Sequence, residues 1–428
     1  MMEFSKELLA LSDKAEAALA KEFAHISRVA HENTARVMAA FADHRVDAAC
    51  FAPTTGYGYD DRGREVLDKI FADVMGAESA FVRHSIVNGT HALTIGLFGL
   101  LRPNDIMLSL TGKPYDTLEE VIGIAGTPGN GSLADYGVEY HGIEMIDGER
   151  LDYDAIGAYL RSENGARVKV CFMQRSKGYL NRKTLTVDEI GEAVRFVKGI
   201  RPDVFVVVDN CYGEFTETRE PPAVGADLAI GSLIKNPGGG MAETGGYLAG
   251  SARAVELCSY RLTCPGIGLE VGATLGQNKH MFRGIFYAPH TVAEALKTAH
   301  FAAYIFRELG YAVEPAPETL RSDIIQTVIM GSPEGLCAFC RGIQYGSPVD
   351  AYVTPEPWAM PGYQEPVIMA AGTFTQGASL ELSADGPIRP PYIAFMQGGL
   401  TYESGKHGVL SALSKVREME AESEKSES

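Results

Sequence analysis

Apolar residues fall along this chain in two rhythms. Through residues 4–43 they recur at helical spacing, at Leu8, Leu9, Ala15, Leu19, Phe23 and Ile26, which predicts two helices. Asn33-Thr34 offers the break between them and a new cap before Val37, Met38 and Phe41. Residues 65–200 alternate short β-branched runs with amphipathic stretches. Helices are expected at 64–75, 89–101, 117–124, 153–161 and 187–199, and strands at 79–83, 106–110, 138–145 and 168–173. Two further apolar runs, 205–208 and 228–230, end in turn residues and read as buried strands. Such alternation implies a mainly parallel sheet covered on both faces, with ligands at the carboxyl ends of the strands.

Beyond residue 250 the rhythm changes. A helix at 251–262 leads into the glycine-rich connector CPGIGLEVGATLG. Thr291-Val-Ala-Glu294 has the form of a capping box, opening a helix to about residue 309. Strands are expected at 324–330, 366–370, 379–383 and 392–396. Ser332-Pro333-Glu334 starts another helix, and a last one runs from about Glu403. The resulting division is an N-terminal helical arm and loop (1–60), a large α/β domain (61–288) and a smaller α+β domain (289–428). The polar tail EMEAESEKSES is expected to be disordered.

Composition narrows the class. The 428 residues allow a large core, and the net charge of −17 disfavours nucleic acid and anionic membrane partners. No apolar run is long enough to span a bilayer, and MMEFSKELL does not read as a signal peptide. Seven cysteines in so long a chain are not a disulfide framework, which fits a cytoplasmic protein. Cys337-Ala-Phe-Cys340 lies on an expected helix with no second pair at zinc-ribbon spacing, so inert thiols are expected and no metal.

The chemistry concentrates at the ends of the two buried runs. The first ends in Asp209, and the second leads through Ser232 to Lys235 and a glycine-rich turn. Charged residues beside a core are costly to desolvate. A desolvated lysine loses its proton readily and can form a Schiff base with a carbonyl. Taken singly, Asp209 also reads as a strand-end cap and Lys235 as a surface lysine. Asn88, Gly89 and Thr90 open a helix whose free N–H groups suit a phosphate, although an ordinary Asn-Gly turn reads the same way.

The pattern Asp-Asn-x-Tyr followed by Ser-x-x-Lys resembles the fold type I pyridoxal-phosphate enzymes of cysteine and methionine metabolism. Nearest is a bacterial branch described as methionine gamma-lyase-like or aluminium-resistance proteins, with cystathionine beta-lyase among its expected activities. The resemblance covers roughly residues 51–402. It implies an aspartate-aminotransferase-like large domain with pyridoxal 5′-phosphate carried on Lys235. It further implies that Asp209 faces the ring nitrogen, and that Asn88, Gly89, Thr90 and Ser232 hold the phosphate. Tyr115 would stack on the ring and assist proton transfer. Tyr59 and Arg62, from the loop FAPTTGYGYDDRGR, would reach the cofactor phosphate of a neighbouring subunit in a homodimer or homotetramer. Arg389, held between prolines, would orient the substrate carboxylate. The loop MQRSKGYLNR, with Gln174, Arg175, Ser176 and Tyr179, follows a strand and should line the same crevice, Gln174 against the substrate. Elimination across a carbon–sulfur bond is the reaction the resemblance implies. Transamination, decarboxylation or a non-catalytic role remain open alternatives on the residues alone.

Overall fold

A computed structural model describes residues 4–180, 182–360 and 365–427, with side chains to residue 425. Seven strands form the larger sheet: β1 (Ser79–Arg83), β2 (Ile106–Ser109), β3 (Glu139–Gly142), β4 (Val168–Gln174), β5 (Phe205–Asp209), β6 (Leu228–Ser232) and β7 (Gly246–Gly250). Their order is β1-β7-β6-β5-β4-β2-β3. The run from β6 to β3 is parallel, and β7 pairs antiparallel with both β1 and β6. Five antiparallel strands form the second sheet: β8 (Ala312–Glu314), β9 (Ile325–Ile329), β10 (Val367–Ala370), β11 (Ser383–Pro387) and β12 (Ile393–Gln397), in the order β10-β11-β12-β9-β8.

The helices are α1 (Lys6–Ala18), α2 (Ala20–Asp43), α3 (Arg62–Met75), α4 (Gly89–Leu100), α5 (Asp116–Ile122), α6 (Tyr153–Arg161), α7 (Val187–Ile200), α8 (Ala252–Leu262), α9 (Asn278–Glu308), α10 (Pro333–Tyr345) and α11 (Tyr402–Glu427). The central strands are continuous apolar runs because helices cover both of their faces. Val206, Val207 and Val208 on β5 and Val170 and Phe172 on β4 are fully buried. Leu93, Ile95 and Leu97 of α4 pack on one side of the sheet, and Ile190, Val194 and Val197 of α7 on the other. This is the α/β architecture expected, with a smaller α+β unit after it.

Several expectations are corrected. The first two helices part at Leu19, not at Asn33-Thr34. Asn33 lies inside α2, where its amide donates to the carbonyls of Phe215 and Glu217 at 3.1 and 3.0 Å. A residue that reads as a helix stop serves as a buried tertiary clamp. The capping box at Thr291 does not form. α9 begins 13 positions earlier and carries Pro289 inside it. The Thr291 hydroxyl turns back on the Tyr287 and Ala288 carbonyls, and Glu294 accepts instead from the Tyr402 N–H and Lys297. Burial of Met281, Phe282, Ile285 and Ala288 offsets the bond that Pro289 cannot make. α9 therefore runs across the domain boundary expected at 288/289.

The strand expected at 379–383 is a loop, tied by the Glu381 carboxylate to the Phe374 and Thr375 N–H groups. The true strand, β11, begins at Ser383 and takes in Asp385-Gly386-Pro387, a run with the composition of a turn. The strand expected at 138–145 shortens to the edge strand β3. The tail expected to be disordered continues as helix α11 to Glu427, supported by the Lys415–Glu418 pair and by Tyr311 on Glu420. β7 had no counterpart among the expected strands, because GYLAG is short and bounded by glycine.

Candidate active site

The carboxyl ends of β4, β5 and β6 and the start of α4 meet at one cavity of about 300 Å³, closed on its far side by the second sheet. Lys235, Asp209, Ser232, Asn88, Gly89, Thr90, Tyr115 and Gln174 all line it. Sequence positions 88 to 235 are brought together because each follows a parallel strand, or a helix start, on the same edge of the sheet.

Asp209 ends β5, and its Oδ1 accepts the Cys211 N–H at 3.1 Å. Burial pushes its carboxyl upward, opposed by the Lys235 charge and that hydrogen bond. The chain then turns sharply, with Tyr212 and Phe215 at φ 72° and 62°. Left-handed conformations in bulky residues cost about 1–3 kcal/mol each and persist where packing over-determines them. Here Asn33 holds the Phe215 carbonyl and the buried Asn236 amide donates to that of Glu214 at 3.0 Å.

Lys235 follows β6, and its Nζ lies 4.1 Å from the centre of the Tyr212 ring. Burial alone would lower its proton affinity. Cys211, Tyr212, Asp209 and Glu214 oppose that, and the net direction is upward. The readily deprotonated lysine expected from desolvation is thus corrected: these neighbours together outweigh burial and favour its ammonium.

The Ser232 hydroxyl is fully buried and has no hydrogen-bond partner. A Cβ placed on Gly89 would sit 3.6 Å from the Ser232 Cβ and 4.0 Å from the Lys235 Nζ, so that glycine keeps a small cradle open beside the first turn of α4. Asn88 caps this helix by accepting the His91 N–H at 2.8 Å. Thr90 and Thr117 share a hydroxyl–hydroxyl bond of 2.8 Å across the same mouth. An orphaned hydroxyl beside a helix N-terminus fits a phosphate oxygen.

Gln174 lines the cavity, but both ends of its amide are engaged. Its Oε1 accepts the Tyr115 N–H at 2.7 Å and its Nε2 donates to the Ser176 carbonyl at 3.0 Å. It braces the Tyr115 loop from within the cavity lining. In the loop after β4, Ser176, Gly178 and Tyr179 line the cavity as expected. Arg175 lies behind it, fully buried against Asn210 and Glu217 at 2.8 Å each. The Tyr115 and Tyr179 rings approach at 5.8 Å between centroids.

Three expected residues lie outside the cavity lining. Arg389 is exposed and pairs with Glu365 at 3.4 Å. Tyr59 is exposed, stacked on Tyr57. Arg62 pairs with Asp47 of its own chain at 2.7 Å. The neighbouring Arg64 is buried and donates to the Gly58 and Gly272 carbonyls. Other lining residues were not among the expected ones: Thr117, Cys211 and Tyr212, and from the second sheet and the loop before it Ser379, Ser383, Asp385 and Gln397. No local signal marks Asp385, because the segment SADGP has the composition of a turn. Cys337 and Cys340 lie on α10 with free thiols.

The family model for methionine gamma-lyase matches residues 8–417. The chain belongs to the methionine gamma-lyase family. It is 51% identical over 401 residues to the uncharacterised protein YnbB of Bacillus subtilis, covering 94% of each chain. A Listeria monocytogenes structure, named for a candidate cystathionine beta-lyase involved in aluminium resistance, superposes with a TM-score of 0.92 at 48% identity, over 95% of this chain and 100% of that one. A Clostridium novyi structure named as a carbon–sulfur lyase involved in aluminium resistance gives 0.92 at 45%, over 96% of each. The pyridoxal-5′-phosphate-dependent protein YhfS of Escherichia coli shares the fold at 16% identity, with a TM-score of 0.60 over 93% of this chain and 97% of that one. The fold is thus that of the fold type I enzymes, with the expected small C-terminal domain. Among the described residues no helix is long and apolar enough to cross a membrane.

Proposed function

We propose that this protein is a pyridoxal-phosphate-dependent carbon–sulfur lyase acting on a sulfur-containing amino acid. The observation that carries the reading is the coincidence, in one cavity, of a buried lysine, a buried strand-end aspartate and an orphaned serine hydroxyl beside a helix N-terminus. The names of the Listeria and Clostridium proteins support the choice of bond.

Bound there, pyridoxal phosphate would supply an electron sink for negative charge developing at the α carbon of an amino acid. Ser232, Thr90 and the first N–H groups of α4 would hold its phosphate, and Asn88 fixes that helix start. Asp209 would hold a proton on the ring nitrogen, and the Cys211 N–H fixes the carboxylate in place. Pairing of Asp209 with that nitrogen would remove one of the groups that favour the Lys235 ammonium. The lysine amine would take the α proton and return it. Tyr115, which lines the cavity and whose N–H is held by Gln174, would stack on the ring. Tyr59 and Arg62 would complete the site of a second copy in a homodimer or homotetramer. The exposed Tyr57, Tyr59 and Leu275, all on adjoining loops, support such a covered face.

The test is direct. Purified protein is expected to be yellow, to lose its visible band on borohydride reduction, and to carry the label on Lys235. Supplied with sulfur amino acids, it should release ammonia and a 2-oxo acid. A colourless protein that takes up no pyridoxal phosphate would overturn the reading. A yellow one that needs an amino acceptor would be a transaminase.

A further inference from the structure

The second sheet gives the cavity a wall of its own. Met369 from β10, Ser383 and Asp385 from β11 and Gln397 from β12 line it, with Ser379 from the preceding loop. Asp385 is half-buried in the middle of β11, a strand paired on both sides. Its carboxylate accepts from Gln397 Nε2 at 3.3 Å and from the Tyr179 hydroxyl, and Gln397 Nε2 also donates to the Ser383 hydroxyl at 3.0 Å. The carboxylate is therefore held in one orientation by two donors from different elements. Ser379 is 5% exposed, and its hydroxyl has no partner. No arginine lines the cavity among the described residues, and its one lining lysine is Lys235, on the opposite wall.

We propose that Asp385 is a specificity-determining residue: with Ser379 it binds an ammonium group on the far arm of the substrate. On the carbon–sulfur lyase reading, the substrate class is then a thioether amino acid whose sulfur-bound arm carries a second ammonium group. The argument is one of charge and satisfaction. Asp209 is accounted for by the ring nitrogen, which leaves Asp385 as the unassigned acid of the cavity. A fixed carboxylate accepts a charge-assisted bond from an ammonium, whereas an alkyl arm placed there would strand it unpaired. The Ser379 hydroxyl can accept a second ammonium hydrogen. Burial raises the Asp385 carboxyl to about 6, against the bonds from Tyr179 and Gln397, so near neutral pH it is mainly an anion.

The test compares matched ligands on the holoenzyme. By calorimetry, wild type should bind L-lysine about tenfold or more tightly than L-norleucine, which has the same chain length without the ammonium. In Asp385→Asn and Asp385→Ser that preference should vanish, with the visible cofactor band retained. In turnover, Asp385→Asn should lower kcat/KM about tenfold or more for L-cystathionine and less than about twofold for S-ethyl-L-cysteine. A wild-type preference for norleucine overturns the proposal, as does a lysine preference that survives both substitutions or an equal loss on the two thioethers. The wild-type comparison needs no variant to fold. If wild type releases an oxo acid from no sulfur amino acid, the lyase reading fails while the lysine–norleucine comparison still decides the role of Asp385.

Discussion

The two walls of the cavity differ in how they are built. The large-sheet wall is made of strand ends and a helix start, and its polar groups are poised for an anion and a ring: a lysine, an orphaned serine and the first turn of α4. The small-sheet wall takes its polar groups from the sheet itself, in strands paired to neighbours, and its charge is negative. A strand end can present backbone N–H groups and side chains together, which suits a fixed cofactor. A side chain from within a strand offers one group at one spacing, which suits discrimination between substrates.

Four experiments would break or sharpen that contrast. Asp209→Asn should have the largest effect. The amide cannot sustain the proton on the ring nitrogen, so turnover should fall by about two or more orders of magnitude, with cofactor binding kept or mildly weakened. Near-normal turnover would remove Asp209 from its role. The second concerns whether the large-sheet wall is complete within one chain. Lys235→Ala and Arg62→Ala are each expected to be inactive alone. Mixed under confirmed subunit exchange, they should recover about a quarter of the sites, because half the dimers are mixed and each mixed dimer has one intact site. If Arg62 only braces Asp47 in its own chain, no activity returns.

Ser232→Ala should be milder. It removes one acceptor-seeking hydroxyl from the phosphate cradle, and pyridoxal phosphate affinity should fall about tenfold, or about 1.4 kcal/mol. Unchanged affinity in a fluorescence titration would show that the phosphate lies elsewhere. The smallest effect is on pH. Glu214, buried beneath the lysine turn, accepts the Tyr247 hydroxyl at 3.0 Å, and burial raises its carboxyl from the usual 4.5 to about 8. The folded protein therefore holds a proton that the unfolded chain releases. The stability from this group is fully present below about pH 4.5 and is lost as pH rises towards 8. Glu214→Gln should flatten the fall in thermal midpoint across that window. An unaltered slope would mean that Glu214 does not carry it.

Local pattern was enough for the central parallel strands of the large sheet, though not for β7. The runs at 205–208 and 228–230 are apolar because both faces are covered, so their ends, Asp209 and Ser232, could be located from spacing alone. Where a residue's partner is distant in sequence, pattern misled. Asn33 looks like a helix stop, and its role depends on carbonyls more than 180 positions away. Thr291 and Glu294 have capping spacing, but the helix around them is held by packing on α2 and the core, which overrides both the box and Pro289. Asp385-Gly386-Pro387 has the composition of a turn. It is a strand because Gly386 lets the chain lie against the Ile393 carbonyl and Leu336. Gln174 was legible as a cavity residue but not as a brace, since its two bonds go to loop backbone whose course no local signal gives.

One consequence lies in the 31-residue helix α9. Gly284 on this helix and Gly238 and Gly239 in the lysine turn meet backbone to backbone: a Cβ on Gly239 would come within 2.3 Å of the Gly284 carbonyl, and one on Gly284 within 2.6 Å of that of Gly238. The far end of the same helix packs Phe301, Ile305 and Phe306 into the core that carries the second sheet. α9 is therefore a strut with one end seated under the turn that carries Lys235 and the other under the wall that would sort substrates. Were the small sheet to tilt about that strut, the displacement would reach the root of Lys235, and the proposed hold on a substrate's far arm would move together with the amine.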